Sequence, residues 1–124
     1  MNKEFIPYEQ ALELKELGFN ELCGAFYEKD LGSIYQHYAG FDIRNDDVYY
    51  NDYKLECTAA LYQQAFRWFR EKGIVNSIRS HNDKCHEYYL IHNGKAFQSY
   101  HSYTYEQAEL ECLNHLIRLL NQNK

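Results

Sequence analysis

A chain of 124 residues is the size of one domain with a single hydrophobic core, and a net charge of −5 argues against a role as a general nucleic-acid binder. The charge is unevenly spread: residues 1–56 hold five Lys/Arg against twelve Asp/Glu, giving −7, and residues 57–124 hold eight against six, giving +2. Binding to a duplex backbone needs a basic surface that displaces counterions, so duplex nucleic acid is excluded as a partner, while a local anion site in the second half stays open.

Thirteen tyrosines and seven phenylalanines supply most of the aromatic content. Tyrosine has a flat apolar body and a polar tip, which suits half-buried sheet faces and binding surfaces alike. Cys23, Cys57, Cys85 and Cys112 are widely spaced, with no CxxC and no dense disulfide pattern. The N-terminal MNKEFIPYEQ lacks the apolar region of a signal peptide, and no apolar run is long enough to span a bilayer. The expected location is a reducing cytoplasm, with the thiols acting as small buried hydrophobes.

In chain order, a first helix opens at Pro7 and runs to Gly18, with Ala11, Leu14 and Leu17 on one seam and Phe19 folding back on the last turn. From Leu22 to Gly40 the period changes to two, which predicts a hairpin of Leu22–Lys29 and Ser33–Tyr38 around Lys29-Asp30-Leu31-Gly32. The acidic piece Phe41–Glu56 holds Val48, Tyr49, Tyr50 and Tyr53, which argue for a third strand. Thr58–Gly73 reads as the central core helix. Leu61, Tyr62, Ala65, Phe66, Trp68 and Phe69 share one stripe, Gln63, Gln64, Arg67, Arg70 and Glu71 lie opposite, Thr58 serves as N-cap and Gly73 as the stop.

Ile74–Ser80 then alternates weakly, His81–Lys84 reads as a turn, and Asn93-Gly94 between Cys85–His92 and Lys95–Tyr103 is a strong hairpin signal. Thr104 and Gln107 form a capping box for a last helix whose apolar side includes Ala108, Cys112, Leu113, Leu116 and Ile117. The expected architecture is a single α+β domain, residues 1–124, with three helices packed on mainly antiparallel sheet in the order α-β-β-(β)-α-β-β-β-α. Tyr8-Glu9-Gln10-Ala11 and Tyr105-Glu106-Gln107-Ala108 open the first and last helices alike, an echo that shared helix-start chemistry explains.

Three groupings carry candidate chemistry. A two-residue Asn93-Gly94 loop pairs His92 with Lys95, Ile91 with Ala96, Leu90 with Phe97, Tyr89 with Gln98, Tyr88 with Ser99 and His86 with His101. His86, His101, Tyr88 and Tyr103 then form a polar aromatic patch for an anion or a small planar ligand. In the opposing arrangement the imidazoles lie on the solvated face, with Tyr89, Ile91 and Ala96 turned to the core. Arg67 and Arg70 project together from the central helix and could clamp a phosphate or carboxylate, unless they only form its solvent face. Cys112 and His115, with His81, Cys85 and His86, have looser spacing than a zinc site, so no metal and no cofactor are expected.

No GxSxG, P-loop, GxGxxG or HExxH occurs, which leaves only a Cys–His dyad or a His-dependent hydrolase as enzymatic readings. The order α-β-β-β-α from the central helix onward is that of a double-stranded-RNA-binding domain. In such domains the last helix begins with basic residues, whereas here it begins with Glu106, Glu109 and Glu111, which would repel phosphates.

Phe5-Ile6-Pro7-Tyr8-Glu9-Gln10-Ala11 with Leu14–Phe19, Tyr62–Lys72, and Tyr103-Thr104-Tyr105-Glu106-Gln107-Ala108-Glu109 together resemble a family of small hypothetical proteins from gut Bacteroidales genomes and their phages and mobile elements. The resemblance implies no activity and carries over no catalytic residue. It implies an accessory protein that binds a host protein or a small signalling molecule. The expectation is a non-enzymatic binding module that sequesters a nucleotide-type ligand through Arg67, Arg70 and sheet tyrosines. The alternative is a protein-interaction module acting through the acidic, tyrosine-rich segment Asp42–Tyr53, with a homodimer compatible with either and no membrane partner.

Overall fold

Glycine ends the first two helices by one hydrogen-bond pattern. In the computed structural model, which describes residues 4–29, 33–36, 43–47, 49–50, 53–99 and 104–122, α1 spans Tyr8–Glu16 and α2 spans Tyr62–Glu71. Gly18 (φ +100°) lets Phe19 N–H reach the Leu14 carbonyl at 2.9 Å and Gly18 N–H reach Lys15 at 3.1 Å. Gly73 (φ +95°) does the same for Ile74 on Phe69 and Gly73 on Arg70, at 3.1 and 3.0 Å. Both are Schellman motifs, and in both the residue past the glycine is buried with the helix residue it bonds.

The chain divides into two compact units, Met1–Tyr62 and Gln63–Lys124. In the first, α1 packs on β4 (Tyr53–Thr58) of an antiparallel sheet with strand order β2 (Ile34–Gln36), β1 (Ala25–Glu28), β4, β3 (Tyr49–Tyr50). Phe26, Ile43 and Leu55 form its core cluster, with Tyr35 stacked on Phe26 at 5.5 Å between centroids. The buried Tyr27 hydroxyl donates to the Ile6 carbonyl at 2.7 Å, and burial pushes its pKa up to about 12. In the second unit β5 (Val75–Asn82), β6 (Cys85–His92) and β7 (Lys95–Gln98) form an antiparallel sheet in that order, with α3 (Tyr105–Asn121) against β6 and β5. The capping box is present: Thr104 Oγ1 accepts from Gln107 N at 3.0 Å, and Gln107 Oε1 accepts from Thr104 N at 3.2 Å.

The fold is α+β with the helix and strand order expected, and the segment before α2 resolves into a β3–β4 hairpin instead of one strand. Thr58 is not the N-cap of α2. It ends β4 opposite Phe26, and Ala59–Leu61 continues extended, because Ala59 N donates to Ala25 O, Ala60 O accepts from Ile6 N, and Leu61 bridges Phe5. Cross-strand bonds there override the helix propensity of two alanines. Farther on, His81 and Asn82 belong to β5, and the turn narrows to Asp83-Lys84, where Asn82 Oδ1 accepts from Lys84 N at 2.8 Å. The β1–β2 turn residues 30–32 lie outside the described residues.

Candidate functional site

Asn93 (φ 52°) and Gly94 (φ 79°) take the left-handed conformations that a two-residue hairpin loop requires. The register follows: His92 pairs with Lys95, Ile91 with Ala96, Leu90 with Phe97 and Tyr89 with Gln98. Tyr88 and Ser99 extend it through Ser99 N on Tyr88 O and Tyr88 N on Ser99 Oγ, at 3.1 and 2.8 Å. His101 and Tyr103 lie outside the described residues, and with them the expected His86–His101 pair.

His86 and Tyr88 face α3. Leu90 is fully buried and His86 is 7% exposed, whereas Ile91 is 36% exposed. The arrangement that puts the imidazole outside and Ile91 and Ala96 in the core is therefore overturned. Burying Leu90 and Phe97 against the apolar side of α3 fixes every second residue of β6 on the inner face. The Tyr88 hydroxyl pairs with His115 Nδ1 at 3.0 Å, and the His115 ring meets Tyr88 and Phe97 edge-on at 5.6 and 5.0 Å. Burial raises the Tyr88 pKa, and burial together with Arg118 lowers that of His115.

The Ser80 hydroxyl is 2.7 Å from His86 Nδ1, the Asp83 carbonyl is 3.4 Å from Nε2, and the Tyr105 ring packs edge-on at 5.8 Å. Sequence reasoning missed Ser80, because its place opposite His86 depends on the β5–β6 register and on a shift between Ser80 and Asn82 that no residue pattern signals.

The arginine pair stands elsewhere. Arg70 Nη1 donates to Asn76 Oδ1 at 3.0 Å, while the buried Asn76 donates to the Phe66 and Ile74 carbonyls at 3.0 and 3.3 Å. Arg70 thus helps bind α2 to the start of β5, and Arg67 is exposed on the same helix. Asn76 pairs with Leu90 and Ser80 with His86, four residues along β5, so Arg70's anchor and His86 are about 13 Å apart at ~3.3 Å per residue. Among the described residues, the predicted ligand residues thus fall into two separate groupings, Arg67 and Arg70 on α2 and His86 and Tyr88 on β6.

Cys57 and Cys112 are buried thiols, each pushed up to about 12 by burial, so neither is a thiolate at neutral pH. His115 Nδ1 is paired with the Tyr88 hydroxyl. Among the described residues no group of three or more His, Cys, Asp or Glu could hold a metal ion.

The outer face of the second sheet is the mirror of the inner one. Val75, Ile91 and Ala96 are cross-strand partners in one row over all three strands, with Val75 52% exposed. Beyond the Ser77–Tyr89–Gln98 row, Glu87 accepts from His81 Nε2 and Gln98 Nε2, both at 3.0 Å, with Arg79 at 3.9 Å. The hydrogen bonds from His81 and Gln98 hold its carboxyl below the usual range. In the first unit a shallow hollow of about 250 Å³ is lined by Lys15, Gly18, Phe19, Asn20, Asn45 and Asp46. Two of its polar side chains are engaged within the fold: Lys15 Nζ donates to Glu56 O at 2.6 Å and Asn20 Oδ1 accepts from Asp46 N at 3.1 Å. Comparison with protein-family models, curated proteins and solved structures finds no match to this chain.

Proposed function

We propose that this chain is a binding module whose partner is a protein, contacted through the outer face of β5, β6 and β7. The supporting observation is the exposed row Val75–Ile91–Ala96, a strip of apolar side chains across a sheet whose other face already covers α3. Apolar side chains clustered on one surface mark contact sites more often than the same residues scattered singly. This moves the interaction surface away from the expected segment Asp42–Tyr53, of which residues 42, 48, 51 and 52 lie outside the described residues.

The nucleotide-type ligand has less support. It calls for Arg67, Arg70, His86 and Tyr88 to converge, whereas Arg70 is engaged with Asn76, Tyr88 with His115 and His86 with Ser80. The reading of an accessory protein from phages or mobile elements rests on the sequence resemblance alone.

The test is affinity capture with wild-type and Ile91→Glu baits from cells that express the protein, beside a thermal-shift screen against nucleotides. A protein held by wild type and lost with Ile91→Glu supports the proposal. A nucleotide that raises the melting temperature, abolished by Arg67→Ala, would replace it with the sequestering reading.

A further inference from the structure

Ser80 and His86 form a pair that the binding role does not use. They are directly opposed on β5 and β6, so their side chains share a face. Ser80 is exposed, His86 is held between it and Tyr105, and the Ser80 Oγ to His86 Nδ1 distance is 2.7 Å. The other ring nitrogen faces the Asp83 carbonyl, which can only accept. One tautomer satisfies both contacts: Nε2 carries the hydrogen toward Asp83, and the Nδ1 lone pair accepts the Ser80 hydroxyl proton. A nucleophile, a base and a group that fixes the base's tautomer are thus in hydrogen-bonding sequence, the arrangement that activates a serine. The β5–β6 ladder passes from Ser80 to Asn82, so the residue after Ser80 sits at a bulge outside the paired register. The half-buried Glu109 carboxyl, one helical turn beyond Tyr105, is raised by burial and by Glu106.

We propose that Ser80 is a nucleophile toward acyl and phosphonyl electrophiles, with His86 as its general base, an activity separate from binding at the outer sheet face. With an activated ester, Ser80 Oγ bonds to the acyl carbon while its proton passes to His86 Nδ1. The bond to the alkoxide or phenolate leaving group breaks, and His86 returns the proton to it. Water then attacks the acyl-serine, its proton passes through His86 to Oγ, and the carboxylic acid leaves. With a fluorophosphonate a P–Oγ bond replaces P–F, fluoride departs, and the proton is lost through His86 to solvent.

The experiment treats the full chain with a fluorophosphonate probe and maps adducts by peptide mass spectrometry. Ser77, exposed on the same strand and opposite Tyr89 with no histidine partner among the described residues, is the internal reference. Ser80 is expected to react at least ~100-fold faster than Ser77, the usual span of a positioned base. His86→Gln, with its fold checked by circular dichroism, should remove that advantage, and Ser80→Ala should leave no fast adduct. Equal labelling of Ser80 and Ser77 in the wild-type protein overturns the proposal without relying on any variant. Wild-type labelling of Ser80 in folded His86→Gln overturns the role of the base.

Discussion

Asn45 holds two backbone segments of the first unit together, and its removal has a calculable cost. It is 7% exposed; its Nδ2 donates to Phe19 O at 2.7 Å, just past the end of α1, and its Oδ1 accepts from Thr58 N at 2.8 Å, at the end of β4. Asn45→Ala leaves a buried carbonyl and a buried amide without partners. Each such group costs about 1–3 kcal/mol. The hollow beside Asn45 admits water to part of the gap, so the expected loss is about 2–4 kcal/mol.

Asn45→Asp separates the two bonds. A carboxylate still accepts from Thr58 N but sets a negative oxygen against the Phe19 carbonyl, whereas the protonated acid donates to it. The folded state then binds a proton more tightly than the unfolded state, so the variant gains stability relative to wild type as the pH falls through the carboxylate range. Urea unfolding followed by circular dichroism, with hydrogen exchange at the Thr58 amide, measures both. A loss below about 0.5 kcal/mol for Asn45→Ala, the level of an ordinary surface change, would mean that Asn45 does not tie these two segments together, as would an Asn45→Asp pH dependence equal to wild type.

Thr58 Oγ1 is buried with no hydrogen-bond partner among the described residues, so Thr58→Val should raise stability by about 1 kcal/mol in the same urea experiment. His115 is depressed by burial and Arg118, so the unfolded chain binds its proton more readily. Its stabilising effect is present above its ordinary value of 6.5 and is lost as the pH falls through its lowered value; His115→Gln should lessen the loss of thermal stability as the pH falls below 6.5. Arg70→Met should cost about 1 kcal/mol of stability by removing the hydrogen bond to Asn76, in a calorimetric scan made without any ligand.

Where structure is decided locally, it was legible in the sequence. The stops at Gly18 and Gly73, the capping box at Thr104 and the Asn93-Gly94 register all depend on residues within a few positions of one another. What depended on distant partners was not. Thr58 resembles an N-cap until Phe26, Asn45 and Ile6 are brought to its neighbourhood and hold the following alanines extended. The face of β6 was ambiguous for a similar reason: His86 and Tyr88 alternate with Glu87 and Tyr89, and only packing on α3 decides which set is inside. For the site, the sequence indicated His86 and Tyr88 but not their partners Ser80 and His115, and it grouped Arg70 with ligand residues although its partner is Asn76.

The most direct test of the binding surface is site-specific photo-crosslinking in cells, with a photoreactive residue at position 91 on the outer sheet face or at position 67 on the exposed side of α2. A discrete protein adduct is expected from position 91, competed away by excess wild-type protein and not by excess Ile91→Glu. A competable adduct from position 67 with none from position 91 would contradict that expectation.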